Sequence, residues 1–160
     1  MKNVSFIVDG MLGSLARKLR IYGFDVFYSS TIKDEDVIEI ASRENRIILS
    51  RDKELCRKAL VKGLNALYIE GRDDVERIAF VFKKLNIKRD LDLLETRCPL
   101  CNARLSTTSR EHVKSVPKGV LERHSVFYVC ENCGQVYWKG SHWEKLLQMD
   151  REVKARLSKR

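Results

Sequence analysis

Two prolines and eight glycines among 160 residues leave no room for a low-complexity, collagen-like or linker-rich region. No internal repeat is present, and no long apolar run either. The stretch behind the amino terminus, Val4 to Val8, has five residues before Asp9, too few for a signal-peptide core or a membrane span. The expectation is therefore a cytoplasmic protein with no membrane partner. Disulfides do not persist in a reducing compartment, so the five cysteines, four of them in two close pairs, need another reason to be there.

What is present is a globular composition, 44% hydrophobic and 33% charged, on a chain long enough for one domain or a domain with a small module. The net charge of +9 is unevenly placed: residues 1 to 97 carry +3 and residues 98 to 160 carry +6. Zinc held by four thiolates would subtract two, leaving about +4 on the second part. Such a bias favours nucleic acid or an anionic surface as partner, although an ordinary lysine-rich surface with a solvated basic tail gives the same count.

Periodicity organises the first part. Val4 to Val8 reads as a buried strand, and Leu12, Leu15, Ala16 and Leu19 recur at helical spacing up to Gly23. Val26 to Tyr28 predicts a second strand, Asp34 to Asn45 a helix, Arg46 to Ser50 a third strand and Lys53 to Lys62 a helix. A strand Ala66 to Ile69 and a helix Asp73 to Leu85 complete four β-α units. Such alternation implies an α/β fold, a parallel sheet with helices on both faces. Lys88 to Asp92 reads as a charged linker or an exposed helix, followed by short strands around Val126 to Val129 and Val136 to Trp138. The expected organisation is an α/β domain over 1–92, a small zinc ribbon over 93–147 and a basic tail over 148–160.

Cys98 and Cys101, then Cys130 and Cys133, form two CxxC pairs. Each such turn presents two thiolates to one ion, and Gly134 behind the second pair can take the positive φ that the turn favours. One structural Zn2+ per chain is the expectation, since four thiolates leave no open coordination position. Redox disulfides or unliganded thiols are the alternative. Cys56, beside Leu55 and Ala59, reads as a core residue.

Three acids fall at element boundaries: Asp9 after the first strand, Asp52 after the third, and Asp34 where the second helix begins. With strand order 2-1-3-4, strands one and three adjoin at the switch point where ligand crevices open. Carboxylates crowded there repel unless a cation neutralises them, and oxygen ligands suit Mg2+ or Mn2+. Metal-assisted phosphodiester hydrolysis is the matching chemistry. Each acid also has a plainer use, Asp34 and Asp36 at a helix N-terminus and Asp52 as a helix cap; Asp73 and Asp74 are likewise placed to start the fourth helix.

The run from Asp9 through Gly10, Met11, Leu12, Gly13, Arg17 and Arg20 to Tyr22-Gly23-Phe24-Asp25 resembles the start of a PIN-like ribonuclease domain. Asp34-Glu35-Asp36, the segment Arg46 to Asp52, the knuckle Arg97 to Asn102 and the segment Tyr137 to His142 resemble the same group. It is the Mut-seven C-terminal ribonuclease family, and the similarity runs from the first strand to His142. The resemblance implies a PIN-like fold, RNA as substrate, and Asp9, Asp34 and Asp52 as ligands of one or two Mg2+ or Mn2+ ions. It places Ser50, where the pattern more often has threonine, beside a carboxylate. A fourth acid has no clear counterpart, with Asp36 or Asp73 the nearest candidates.

Arg17, Arg20 and Arg51 are candidates to hold phosphate, or else line a solvated helix face. Trp138, His142 and Trp143, in an aromatic and basic segment, are candidates to stack on unpaired bases, or else pack within the ribbon or against the α/β domain. A protein partner or a homo-oligomer is a further candidate association. Against the ribonuclease stands a second reading, a non-catalytic RNA-binding or ribonucleoprotein-assembly module, which needs only the basic surface.

Overall fold

A computed structural model describes residues 3–159. Four parallel strands, β1 (Ser5–Val8), β2 (Asp25–Tyr28), β3 (Ile47–Ser50) and β4 (Ala66–Tyr68), pair in the order β2-β1-β3-β4. Helices α1 (Gly13–Ile21), α2 (Asp34–Glu44), α3 (Lys53–Val61) and α4 (Asp74–Lys84) alternate with them. The α/β class, the element order and the switch point between β1 and β3 are as expected. Each boundary falls within a residue or two of its sequence-based position, as helix and strand ends usually do.

The sheet is buried on both faces. Leu15, Ala16 and Leu19 of α1, with Ile78, Val81 and Phe82 of α4, close over Phe6, Val8, Val26 and Leu49 on one side. Val37 and Ala41 of α2, with Leu55 and Ala59 of α3, close over Ile7 and Ile48 on the other. Strand residues that alternate between two covered faces must be apolar throughout, which is why β1 and β3 read as unbroken hydrophobic runs.

A second, antiparallel sheet follows, with β5 (Leu105–Ser109), β6 (Val126–Cys130) and β7 (Val136–Tyr137) in the order β5-β6-β7. The β5–β6 connection holds a short helix, α5 (Lys118–Arg123), above a small core of Val113, Val116 and Phe127. Neither β5 nor α5 was expected. The sequence of β5, Leu-Ser-Thr-Thr-Ser, has almost no apolar face, and its pairing with β6 supplies what periodicity lacks.

The segment between the sheets is clamped rather than loose. Gly23, at φ +98, brings the chain so close that a Cβ there would lie 2.8 Å from the Glu95 carbonyl oxygen. The Thr96 hydroxyl donates to the Ile21 carbonyl at 2.8 Å, and the Arg97 amide donates to that of Arg20 at 2.9 Å.

The expected basic tail from residue 148 does not begin a new element. One helix, α6 (Ser141–Leu157), runs through that position and packs along α4, burying Trp143, Leu146, Met149 and Val153 in the main core. The Tyr22 hydroxyl donates to the buried Asp150 carboxylate at 2.8 Å. The basic residues of this stretch lie on the outer face, so charge counting alone hid the apolar stripe beneath. Among the described residues no helix is long and apolar enough to cross a membrane.

Truncation after residue 147 is expected to destabilise the α/β core by about 3 kcal/mol or more, and Val153→Ala by about 1–3 kcal/mol. Urea unfolding followed through the sheet domain checks both; a tail without structural role would leave the midpoint unchanged.

Candidate functional site

Asp9 stands at the carboxyl end of β1, nearly buried, with 8% of its surface exposed. Its Oδ1 accepts from the Met11 amide at 2.8 Å; its Oδ2 accepts from the Ser50 hydroxyl and, at 3.2 Å, from the Arg51 amide. The Ser50 Oγ in turn accepts from the Asp52 amide at 2.9 Å. Ser50 has no exposed surface, and a hydroxyl there ties the ends of β1 and β3 together. The chain turns away at once in a 3-10 turn, Gly10–Leu12. Gly10 permits this approach, because a Cβ would lie 2.8 Å from the Ser30 carbonyl oxygen.

Asp52 caps α3, its Oδ1 accepting from the Glu54 and Leu55 amides at 2.9 and 3.2 Å. The capping use and the crevice position coexist, because only Oδ1 is engaged by these amides. Asp34 opens α2, exposed to solvent. Partial burial, then the charge of Asp52 and more weakly those of Glu35 and Asp9, hold its carboxyl above the usual range against the opposing charge of Lys58. Asp34 therefore feels the charge of Asp52 foremost and that of Asp9 least. The three acids do not converge further: among the described residues, only the cysteines form a group of three or more potential ligands mutually within 4.8 Å. Mg2+ tolerates this arrangement, since it keeps several waters and uses one or two carboxylates together with substrate phosphates.

The other candidates separate. Asp36 lines a shallow groove with Phe27, Thr31 and Arg43. Asp73 caps α4, accepting from the Glu76 amide at 2.9 Å. Asp74, beside it, accepts from the Ser14 hydroxyl on α1 and pairs with Lys18 at 3.5 Å. Arg17 is exposed on the first turns of α1, its guanidinium 3.5 Å from where a Cβ of Gly13 would stand. Arg51 braces the loop after β4 by donating to the Ile69 and Gly71 carbonyls at 3.3 and 3.2 Å. Tyr28, unnoticed in the sequence, donates its hydroxyl to the Gly10 carbonyl at 2.8 Å.

Arg20 does not hold phosphate. It is buried, donating to the Val26 carbonyl from Nε and Nη2 at 3.1 and 2.8 Å and to the Pro99 carbonyl from Nη1 at 3.0 Å. Burial lowers its pKa, while the Cys101 and Cys98 thiols and Asp25 work in the opposite direction. Trp138 is half-buried, its ring edge-on to Phe127 at 6.3 Å, and His142 is exposed. Both border a cavity of about 60 Å³ with Ile21, Tyr137 and Trp143. Ile21 ends α1 whereas Asp9 precedes its start, and nine helical residues span about 13 Å, so these aromatics lie at the far edge of the sheet from the acids.

The four cysteines meet. Cys98 Sγ lies 3.7 Å from Cys133 Sγ, and Cys101 Sγ lies 3.3 Å from Cys130 Sγ. A tetrahedral ion with Zn–S bonds of about 2.3 Å requires sulfur separations near 3.8 Å, so the quartet fits Zn2+ with small adjustment. The Asn132 and Cys133 amides each donate to Cys130 Sγ at 3.4 Å, and the Tyr137 hydroxyl lies 3.2 Å from Cys98 Sγ. Burial and the contact with Cys98 push the Tyr137 hydroxyl pKa well up, so it stays protonated and donates. The residue after each pair has positive φ, +73 at Asn102 and +79 at Gly134. A backbone turn repeated in both knuckles is what a shared ion asks of the chain.

A family model described as the Mut7-C RNAse domain matches residues 4–150, nearly the whole chain, and the chain belongs to that family. No curated protein and no solved structure matches it.

In Asp52→Asn the Asp34 carboxyl should titrate at lower pH than in the parent, because loss of a neighbouring negative charge favours its ionised form. NMR titration of the Asp34 side chain checks this; an unchanged midpoint would place the two acids in separate fields. Metal analysis is expected to find one Zn2+ per chain, and Cys130→Ser to lower zinc affinity by about a hundredfold or more.

Proposed function

We propose that this member of the Mut7-C RNAse family is a metal-dependent ribonuclease that hydrolyses RNA phosphodiester bonds at Asp9 and Asp52. The observation that carries the reading is the Asp9 carboxylate, fixed by Ser50 and the Arg51 amide at the switch point, with Asp34 feeling the charge of Asp52 foremost and that of Asp9 least. Asp9 and Asp52 are the residues to hold Mg2+ or Mn2+, and Asp34 reaches the ion or a water of its shell. When bound, the ion supplies charge neutralisation at a phosphate oxygen and a lower pKa for the attacking water.

The chain's own residues divide the remaining work. Ser50 fixes the orientation of Asp9, so the acid needs no reordering when substrate arrives. Arg17, exposed on the first turns of α1 just beyond the Asp9 turn, is a cation offered to a phosphate, while the side chain of Arg51 braces the loop after β4. Trp138 and His142 offer stacking surface at the other end of α1, so RNA that engages both regions runs about 13 Å along that helix. Carboxylates that stand apart until a phosphate joins them suit an ion recruited with its substrate.

The same separation of the acids favours the second reading, an RNA-binding or ribonucleoprotein-assembly module without turnover. One experiment divides them. Zinc-loaded protein given labelled single-stranded RNA with Mn2+ should cleave it, and Asp9→Asn or Asp52→Asn should reduce the rate by about a hundredfold or more. Equal cleavage by parent and variants sinks the site assignment. RNA binding that weakens steeply with salt, with no cleavage by any of the three, establishes the binding module instead.

A further inference from the structure

Strand β2 is an edge strand, and its outer side is occupied by the first zinc knuckle. The Val26 amide donates to Asn102 Oδ1 at 3.0 Å, and the Val26 carbonyl accepts from the buried Arg20 guanidinium. Arg20 also donates to the Pro99 carbonyl inside the Cys98–Cys101 turn. Asn102 Nδ2 donates to Asp25 Oδ1 at 2.8 Å, and the same oxygen accepts from Arg46 Nη1 at 2.9 Å. Arg46 continues to the Phe6 carbonyl on β1 at 3.1 Å.

Asn102 belongs to both structures at once. Its backbone holds the positive φ that closes the knuckle behind Cys101, the place Gly134 fills in the second knuckle. Its side chain performs for β2 what a neighbouring strand would. Asparagine is the residue that tolerates this backbone and still carries a donor and an acceptor.

At its other end β2 holds the acid turn. The Tyr28 hydroxyl donates to the Gly10 carbonyl at 2.8 Å, and Gly10 packs against Ser30 just beyond the strand. Two residue rises of extended chain, about 7 Å, therefore separate Val26, held by the knuckle, from Tyr28, which holds the turn that positions Asp9. The charges agree with this design. A buried guanidinium is best tolerated beside negative charge, and four thiolates around Zn2+ carry a net −2.

We infer that Asn102 and Arg20 couple the zinc site to strand β2 and, through it, to the Asp9–Gly10 turn. The zinc knuckle is then a brace of the α/β domain and not an independent ribbon. Metal loss frees the outer edge of β2 and loosens the scaffold of Asp9 from the opposite side of the sheet. Asn102 and Arg20 are positioning residues here, and the inference stands on geometry alone, apart from whether the protein cleaves RNA.

Amide hydrogen exchange of the full chain, zinc-loaded and after chelation, tests this in the parent and in Asn102→Gly. Glycine keeps the positive φ and so the knuckle, but removes the bridge. In the parent, chelation should speed exchange at Val26, Phe27 and the Met11 amide by about tenfold or more, with zinc restoring protection. Asn102→Gly should bind one Zn2+ with near-parental affinity, yet show fast Val26 exchange even when loaded. Chelation that deprotects residues 98–137 while leaving β2 and Met11 as they were would overturn the proposal. So would Asn102→Gly protein with fully protected, zinc-dependent β2. If chelation unfolds the whole parent chain, loaded Asn102→Gly decides: exposed β2 amides support the brace and protected ones refute it.

Discussion

Everything proposed for this protein depends on how the Asp9 carboxylate is held. It accepts from the amide two residues on, from the Ser50 hydroxyl and from the Arg51 amide, so two neighbouring parallel strands meet on one side chain. That junction is also the place where the helices after β1 and β3 depart to opposite faces, which opens a crevice without any loop having to be built for it. A buried acid in this position must be compensated. The protein supplies three donors to Asp9 and leaves Asp34 and Asp52 exposed, which distributes charge toward solvent where a cation can reach it.

The parallel sheet has two edges along its strand axis, and the chain uses them differently. The carboxyl edge gathers the acids, with Arg17 and Arg51 at its margins. The amino edge gathers the zinc knuckle, Arg20, Arg46 and the aromatic cavity under α6. Parallel strands require all their β-α turns at one edge, and that fixes the acids together. The return connections leave the other edge free to accept the second sheet. An ion held by the four cysteines would lie there, about one strand length from the crevice. The contacts that would carry its proposed influence are those of Asn102 and Arg20 with β2, whose far end holds the acid turn.

Much of this was legible in the sequence. Unbroken apolar runs at β1 and β3 and three-four spacing in α1 define the fold, because burial on both faces leaves no polar position to blur the pattern. Matching CxxC pairs identify the quartet, because zinc imposes spacing directly on the chain. Polar side chains were harder. Arg20 sits among helical basic residues and reads as surface, since its partners, the Val26 and Pro99 carbonyls, are backbone atoms that no sequence pattern marks. Asn102 had a local sign, asparagine where the second knuckle has glycine, but the sign speaks of φ and not of its hold on β2. The basic count past residue 148 concealed α6 for a related reason: composition averages over a helix whose two faces differ.

Asp9 and Asp52 are proposed to form a divalent-cation site completed by an RNA phosphate. Electron paramagnetic resonance of Mn2+ added to the zinc-loaded protein, with and without a cleavage-resistant phosphorothioate RNA, measures it most directly. Bound Mn2+ that increases with the RNA and is lost in both Asp9→Asn and Asp52→Asn is the predicted result. Equal Mn2+ binding by the parent and both variants would contradict it.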